Sequence, residues 1–387
     1  MKIKTVLLII SIIIPLSLRS QTKGVMLRVD LECKQVPTLL SIFELVSFTK
    51  LETSEESLIR QINRISYINN KYYLYANRRC NIFSSEGKYL KGIGKMGRGP
   101  GEMVSPIDCS IIPGISEAAF LDNRLRRITI YDFEGNHLRN RTPGIAYLGH
   151  LERVSMDEFI VTTYIEQKAE QTGMPEDFNN SCAYYYNIET KKVEAIVKFP
   201  DNPAVIKVEN TNTFYKYNNN TYFRPPFSNN IYKFCGENPM ENVISIDFGK
   251  YTLDEEDESY KLSPQKILYE SGMGKIVLLY AFLEMKDLYY LVYMKENDFY
   301  IHLISKETNK QVRYNVKNRL DVLRNCLPLF VSNDNIMASL DPAKYITSYK
   351  NLELNSFTAA EVNKLNDLRK DLLPEDNPVV LILKPKF

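Results

Sequence analysis

Tryptophan is absent from the 387 residues, and histidine occurs only three times, as His137, His150 and His302. None of the three is close in sequence to another histidine or to a cysteine, so each reads as a surface or turn residue rather than a metal ligand. No G-x-S-x-G or H-E-x-x-H stretch supplies hydrolytic machinery, which leaves carboxylates as the main general bases. The six cysteines, Cys33, Cys80, Cys109, Cys182, Cys235 and Cys326, show no C-x-x-C spacing. Most lie in apolar runs and read as small buried side chains, with one or two bridges left open. Strong charge of either sign is also missing. With 49 basic and 47 acidic residues the net charge is +2, which argues against nucleic acid as a partner.

Long apolar runs are confined to the start. Met1-Lys2-Ile3-Lys4 is basic, Thr5 to Leu18 is almost wholly apolar, and Arg19-Ser20-Gln21 returns to polar chemistry. That pattern predicts a secretory signal peptide over residues 1–20, since the run is shorter than the roughly 20 residues that span a bilayer, cleaved after Ser20 with Leu18 and Ser20 at the positions the peptidase reads; an uncleaved anchor is the alternative. Loss of Lys2, Lys4 and Arg19 takes the formal charge from +2 to −1. A lipoprotein would place a cysteine directly after the run, but the first is Cys33, behind Asp30-Leu31-Glu32. The expectation is a soluble exported monomer, periplasmic or extracellular, with no transmembrane helix after cleavage.

A repeat is carried by the turns. Phe83-Ser84-Ser85-Glu86-Gly87, Tyr131-Asp132-Phe133-Glu134-Gly135, Tyr186-Asn187-Ile188-Glu189-Thr190, Phe234-Cys235-Gly236-Glu237-Asn238 and Ile304-Ser305-Lys306-Glu307-Thr308 each set a large apolar residue three places before a glutamate and a turn former after it. The glutamates are 48, 55, 48 and 70 positions apart, the span of one four-stranded propeller blade with insertions. Short aromatic or β-branched runs, such as Tyr72-Tyr73-Leu74-Tyr75 and Leu288-Tyr289-Tyr290-Leu291-Val292-Tyr293, precede polar breaks and second alternating runs. The 26 tyrosines suit half-buried strands whose phenol oxygens reach the rim.

The end of the chain differs. Ala359 to Arg369 has helical spacing, with Val362, Leu365 and Leu368 on one face, and Asn377-Pro378-Val379-Val380-Leu381-Ile382-Leu383-Lys384 reads as a buried strand. A propeller has to close its ring or leave sheet edges exposed. The terminal strand is therefore expected to pair with Leu45-Val46-Ser47-Phe48-Thr49-Lys50-Leu51. The fold predicted is all-β: a six-bladed β-propeller over residues 45–387, with a short C-terminal helix before the closing strand. Residues 21–44 are a lead-in, and the closing blade is built from 45–51 and 378–385.

Gly92-Ile93-Gly94-Lys95-Met96-Gly97 satisfies the dinucleotide pattern G-x-G-x-x-G, whose chemistry needs a helix to begin there. Gly97, Gly99, Pro100 and Gly101 forbid one, at about 1 kcal/mol per glycine and about 3 per interior proline. The segment reads instead as a stiff loop between the first two blades.

Phe48-Thr49-Lys50-Leu51-Glu52-Thr53, Ser57-Leu58-Ile59, Ile82 to Leu90, Ile93 to Glu102 and Asn377-Pro378-Val379-Val380 resemble the exported six-bladed β-propeller family abundant in Bacteroidales-type bacteria. The resemblance is strong over 45–140 and at the terminus, and faint between. It implies the fold and an extracytoplasmic address, and it carries no catalytic residues. The chain departs from the family in lacking a lipid-anchored cysteine and in the long segment from Tyr251 to Lys275.

With strand a innermost and strand d outermost in each blade, the glutamate turns fall on one face of the disc. The interblade and b-to-c loops fall on the other. That second face collects Asn77-Arg78-Arg79, Asn123-Arg124-Leu125-Arg126-Arg127, Gln167 to Asn180, Arg224-Pro225-Pro226-Phe227 and Lys295-Glu296-Asn297, together with Arg98. Paired guanidinium donors suit carboxylate and phosphate. Arg78, Arg98, Glu102, Arg124 and Arg224 are the candidate ligand-binding residues, unless the arginines simply pair with acids on neighbouring loops. The function expected is binding of a glycan, peptide or protein partner on this face, with no cofactor and no assigned catalytic residue. The alternative is a hydrolase or lyase using carboxylates or a divalent cation in the central channel.

Overall fold

The computed structural model describes residues 24–386 except 147, 164–177, 179–180, 199–212, 237, 255–263, 319–320, 324–325, 327, 333 and 351–355. The signal-peptide segment, Glu237 and nearly all of Gln167 to Asn180 lie outside the described residues.

Six antiparallel sheets follow one another around a central channel, confirming the six-bladed β-propeller. Blade 1 is Ile62–Ile68, Lys71–Ala76, Arg79–Ser84 and Tyr89–Ile93, and blade 2 is Pro106–Ser110, Glu117–Asp122, Arg127–Asp132 and His137–Arg141. Blade 3 is Leu148–Arg153, Glu158–Thr163, Ser181–Asn187 and Val193–Lys198. Blade 4 starts at Phe214–Tyr217 and ends at Asn238–Asp247, and blade 5 starts at Leu278–Glu284 and ends at Gln311–Asn315. Every glutamate turn joins the third strand of a blade to the fourth. The short hairpins carry the chemistry that two-residue turns demand: Asn69-Asn70, Asn77-Arg78, Asn218-Asn219 and Glu296-Asn297 all hold positive φ at both central positions.

Blade 6 mixes the two ends of the chain. Pro328–Ser332, Asn335–Leu340 and Val379–Pro385 are its first three strands, and Phe43–Lys50 pairs antiparallel with the third, from Val379 opposite Lys50 to Pro385 opposite Phe43. Asn377 fastens this joint. Its carbonyl oxygen accepts from Ile59 N at 2.6 Å, and its amide donates to Glu52 O at 2.7 Å and Ser57 O at 2.9 Å. Against the same joint sits Gly87 (φ +89°), where a Cβ would lie 2.1 Å from the Lys50 carbonyl.

The lead-in is structured. Val25–Arg28 adds a parallel fifth strand to the outer edge of blade 4, and Lys34–Val36 does the same on blade 5. Both edges are thereby covered. The Gln311 side chain zips the strap down, donating to Arg28 O at 3.0 Å and accepting from Asp30 N at 2.8 Å. Leu39, Leu40, Ile42 and Phe43 then enter the largest core cluster, between blades 4, 5 and 6. Separate apolar clusters fill the junctions of blades 1 with 2, 2 with 3, 3 with 4 and 6 with 1.

Among the described residues three α-helices interrupt the strands, α1 (Pro264–Gly272), α2 (Pro342–Tyr349) and α3 (Ala359–Arg369). The last is the helix expected from sequence. Thr358 and Glu361 form a reciprocal capping box at its start, and Leu365 and Leu368 are buried. Helices α2 and α3 fill the second-to-third-strand connection of blade 6, so they stand on the same face as the glycine-rich loop.

Two histidines differ from the surface role expected of them. His302 is fully buried in the third strand of blade 5, bonded to Gln311 Oε1 at 2.8 Å and 3.8 Å from Cys33 Sγ. His150 lines the channel. All six cysteines are free thiols, and four of them are buried.

The central channel and its loop-face mouth as candidate functional site

Innermost strands of a propeller point alternate side chains into the channel. The third residue of each one does so here: Arg64, Asp108, His150, Lys216, Tyr280 and Phe330, in blades 1 to 6 respectively. At this position blades 1–4 contribute Arg, Asp, His and Lys and blades 5 and 6 aromatic rings, while Glu284 and Lys286 of blade 5 also line the cavity. The cavity between them measures about 1620 Å³.

Arg64 organises the charged wall. Its guanidinium bonds Glu152, lies 3.6 Å from Asp108 Oδ2, and donates to Leu151 O at 2.9 Å. Glu152 also receives Lys216 at 3.1 Å, while Asp108 accepts the Leu151 N–H at 2.9 Å and faces His150 Nδ1 at 3.6 Å. Burial pushes the Asp108 carboxyl up, but the Arg64 charge, His150 and the Leu151 N–H outweigh it, and the net shift is below the usual carboxylate range. For Arg64 burial is likewise outweighed, by Glu152 and Asp108, so its cationic form is reinforced. An ionised Asp108 has no proton to donate, so it is unsuited to general-acid work. Arg64 also occupies the cation position between the two carboxylates. Among the described residues no group of three or more His, Cys, Asp or Glu side chains is placed to hold a metal ion.

The glycine-rich segment is the loop between blades 1 and 2. Glu102 folds back inside it and accepts from Gly99 N at 2.8 Å, and a Cβ on Gly97 would collide with that carboxylate at 2.0 Å. Gly101 (φ +77°) receives the Tyr131 hydroxyl on its carbonyl, and Arg127 donates to Glu102 O at 2.6 Å. The glycines are accounted for by this path alone, and Met103 is wholly buried beneath it.

The five candidate residues separate by environment. Arg78 is exposed in its hairpin turn and lines the channel mouth. Arg98 and Arg124 are exposed on the same face but outside the mouth. Glu102 is engaged in its own loop, with no ion pair to Arg98 among the described residues. Arg224 is 2% exposed; it donates to Pro225 O at 3.1 Å and Tyr280 O at 2.9 Å, joining blade 4 to blade 5. Burial without a carboxylate partner pulls its pKa down to about 10. Arg60, which stands in none of the loops between second and third strands, is exposed and joins Arg78 at the mouth, with Lys344 of α2 also on that rim. Among the described residues Arg60, Arg78, Arg98 and Arg124 make no ion pair.

Fold and site together define a six-bladed β-propeller with a polar, aromatic-walled channel. The chain matches the family model described as Domain of unknown function (DUF4934) over residues 25–384, and it belongs to that family. Among solved structures it is similar to a candidate exported protein of Bacteroides fragilis, at 18% identity and a TM-score of 0.72, covering 94% of this chain and 99% of that one. It is also similar to a DUF4221-family member from Bacteroides vulgatus, at 12% identity and a TM-score of 0.55, covering 89% and 98%. These likenesses concern the fold. No curated protein matches the chain.

Proposed function

We propose that this is an exported binding module which takes an anionic group of its partner at the loop-face mouth of the channel. The observation that carries the reading is the set of exposed arginines that make no ion pair among the described residues: Arg60 and Arg78 at the mouth, with Arg98 and Arg124 outside it. Surface guanidinium groups that pair with nothing remain free for carboxylate, sulfate or phosphate oxygens. Glu102 and Arg224 belong to the site as braces of its loops. Binding is favoured over hydrolysis because the channel carboxylates Asp108 and Glu152 are held by Arg64.

Tripolyphosphate, a compact polyanion, is the probe for calorimetric titration at low and moderate salt. Arg60→Ala/Arg78→Ala is expected to weaken its binding about tenfold or more. Arg98→Ala/Arg124→Ala should have a smaller effect. No binding by the parent protein, or equal binding by the mouth variant, overturns the reading.

A further inference from the structure

The mouth and the channel behind it differ in chemistry, and the difference selects a class of partner. At the mouth the free groups are cations. Directly behind it Gln61 and Asn63 are exposed carboxamides that make no hydrogen bond among the described residues, and each offers both donors and an acceptor. Deeper in, Tyr280 and Phe330 present partly exposed rings opposite the Arg64 network. That network is internally neutralised, since Arg64 and Lys216 are matched by Asp108 and Glu152. A second anionic group therefore gains little there, whereas a neutral, hydroxyl-rich body finds hydrogen-bonding groups on one wall and aromatic faces on the other.

A peptide asks for something else, an apolar pocket that swallows an anchoring side chain. Of the apolar residues near the mouth, Ile62, Leu148, Phe214 and Leu340 are buried within the blades, and the half-buried Ile107 and Pro226 come from separate blades. The volume of about 1620 Å³ also exceeds the roughly 300–1,000 Å³ of a small-molecule pocket, leaving room for several linked rings.

Resting on the anion-binding reading above, we infer that the partner is an acidic oligosaccharide: its carboxylate or sulfate is held by Arg60 and Arg78, and its adjoining sugar rings enter the channel between Asn63 and Phe330. The rings stack on the aromatic wall and exchange hydrogen bonds with the carboxamides.

The test titrates the protein with a hexamer of galacturonate, its carboxyl-reduced neutral counterpart, and a hexaglutamate peptide. Galacturonate is expected to bind about tenfold or more tightly than either of the others. Arg60→Gln/Arg78→Gln should remove that advantage. Phe330→Ala should weaken the sugar severalfold while leaving tripolyphosphate binding unchanged, a split that general unfolding cannot produce. Hexaglutamate binding as well as galacturonate overturns the inference, as does a Phe330 variant that loses both probes equally or neither. Tripolyphosphate binding that survives without galacturonate binding overturns the glycan assignment alone. Failure of tripolyphosphate itself overturns the underlying reading.

Discussion

Replacing Arg64 by Met removes the cation between two buried carboxylates, and the expected loss follows from what those carboxylates keep. Taking one partner from a buried ion pair costs about 3–5 kcal/mol, because the other is left charged in a poor solvent. Here Asp108 retains the Leu151 N–H and Glu152 retains Lys216 at 3.1 Å. Arg64 is also 24% exposed to the channel, so water enters when it leaves. The lower end applies, about 3 kcal/mol at pH 8. The pH response gives the sharper test. In the parent, the depressed carboxyl of Asp108 contributes stability above its unfolded pKa, and that contribution is lost only as the pH falls through the lower folded value. Without Arg64 the largest charge opposing burial at Asp108 is gone, so its folded pKa rises and acid stabilises the variant relative to the parent. Urea unfolding of both proteins at pH 8, 6 and 5 measures the difference, and taking that difference cancels titrations common to the two. Arg64→Met/Asp108→Asn/Glu152→Gln should recover most of the loss. A penalty below about 1 kcal/mol at pH 8, or one that does not shrink toward pH 5, would refute the account of the network.

Two further outcomes concern the scaffold. Burial, with Arg313 nearby, lowers the pKa of His302 to about 4, against the opposing hydrogen bond of Gln311. The folded state thus refuses a proton that the unfolded chain accepts near pH 6.5. Stability from this group is complete above that pH and falls as acid is added, by about 2 kcal/mol at pH 5 and about 3 in full. His302→Gln should flatten this part of the pH profile, and an unchanged slope between pH 6.5 and 5 would contradict it. At the closing joint, Asn377→Ala leaves Ile59 N and the Ser57 carbonyl without this partner, while the Glu52 carbonyl keeps the Ser57 hydroxyl at 2.7 Å. Calorimetric melting should register a loss of about 2–3 kcal/mol. Asn377→Asp sets an acceptor-only group against both carbonyls in a buried site and should be no more stable than the alanine variant; equal stability of all three would refute the joint.

The parts of this fold that sequence made visible are those with a local physical signature. A turn needs a residue that accepts positive φ, and Gly87 and Gly135 supply it directly after the glutamate of two windows, Gly236 directly before that of a third. The helix from Ala359 declares itself by the spacing of Leu365 and Leu368 and by its Thr358 cap. The strap strands are silent for the opposite reason. Val25–Arg28 has one buried residue in four, and its partner is more than two hundred positions away.

The channel was hidden differently, because its residues are single members of separate strands. Arg64, Asp108 and Glu152 stand 44 positions apart, one in the first strand of each of three successive blades. No window short enough for motif reading contains two of them. The signal lies in register: once blades are aligned on their turns, the third residue of each first strand faces the axis. That position runs Arg, Asp, His, Lys, Tyr, Phe in this chain, and Glu152, two residues further along the first strand of blade 3, joins it from the same side of the strand. The loop face follows a looser rule. Its arginines sit in turns of different lengths, where hairpin chemistry fixes the backbone and leaves the side chain unconstrained, as at Arg78 with φ +63°. A positive charge was thus legible at each loop. Which of those charges reach the mouth depends on how the blades close, and closure is set at the joint of Phe43–Lys50 with Val379–Pro385, whose Asn377 clamp holds Ile59 beside Arg60.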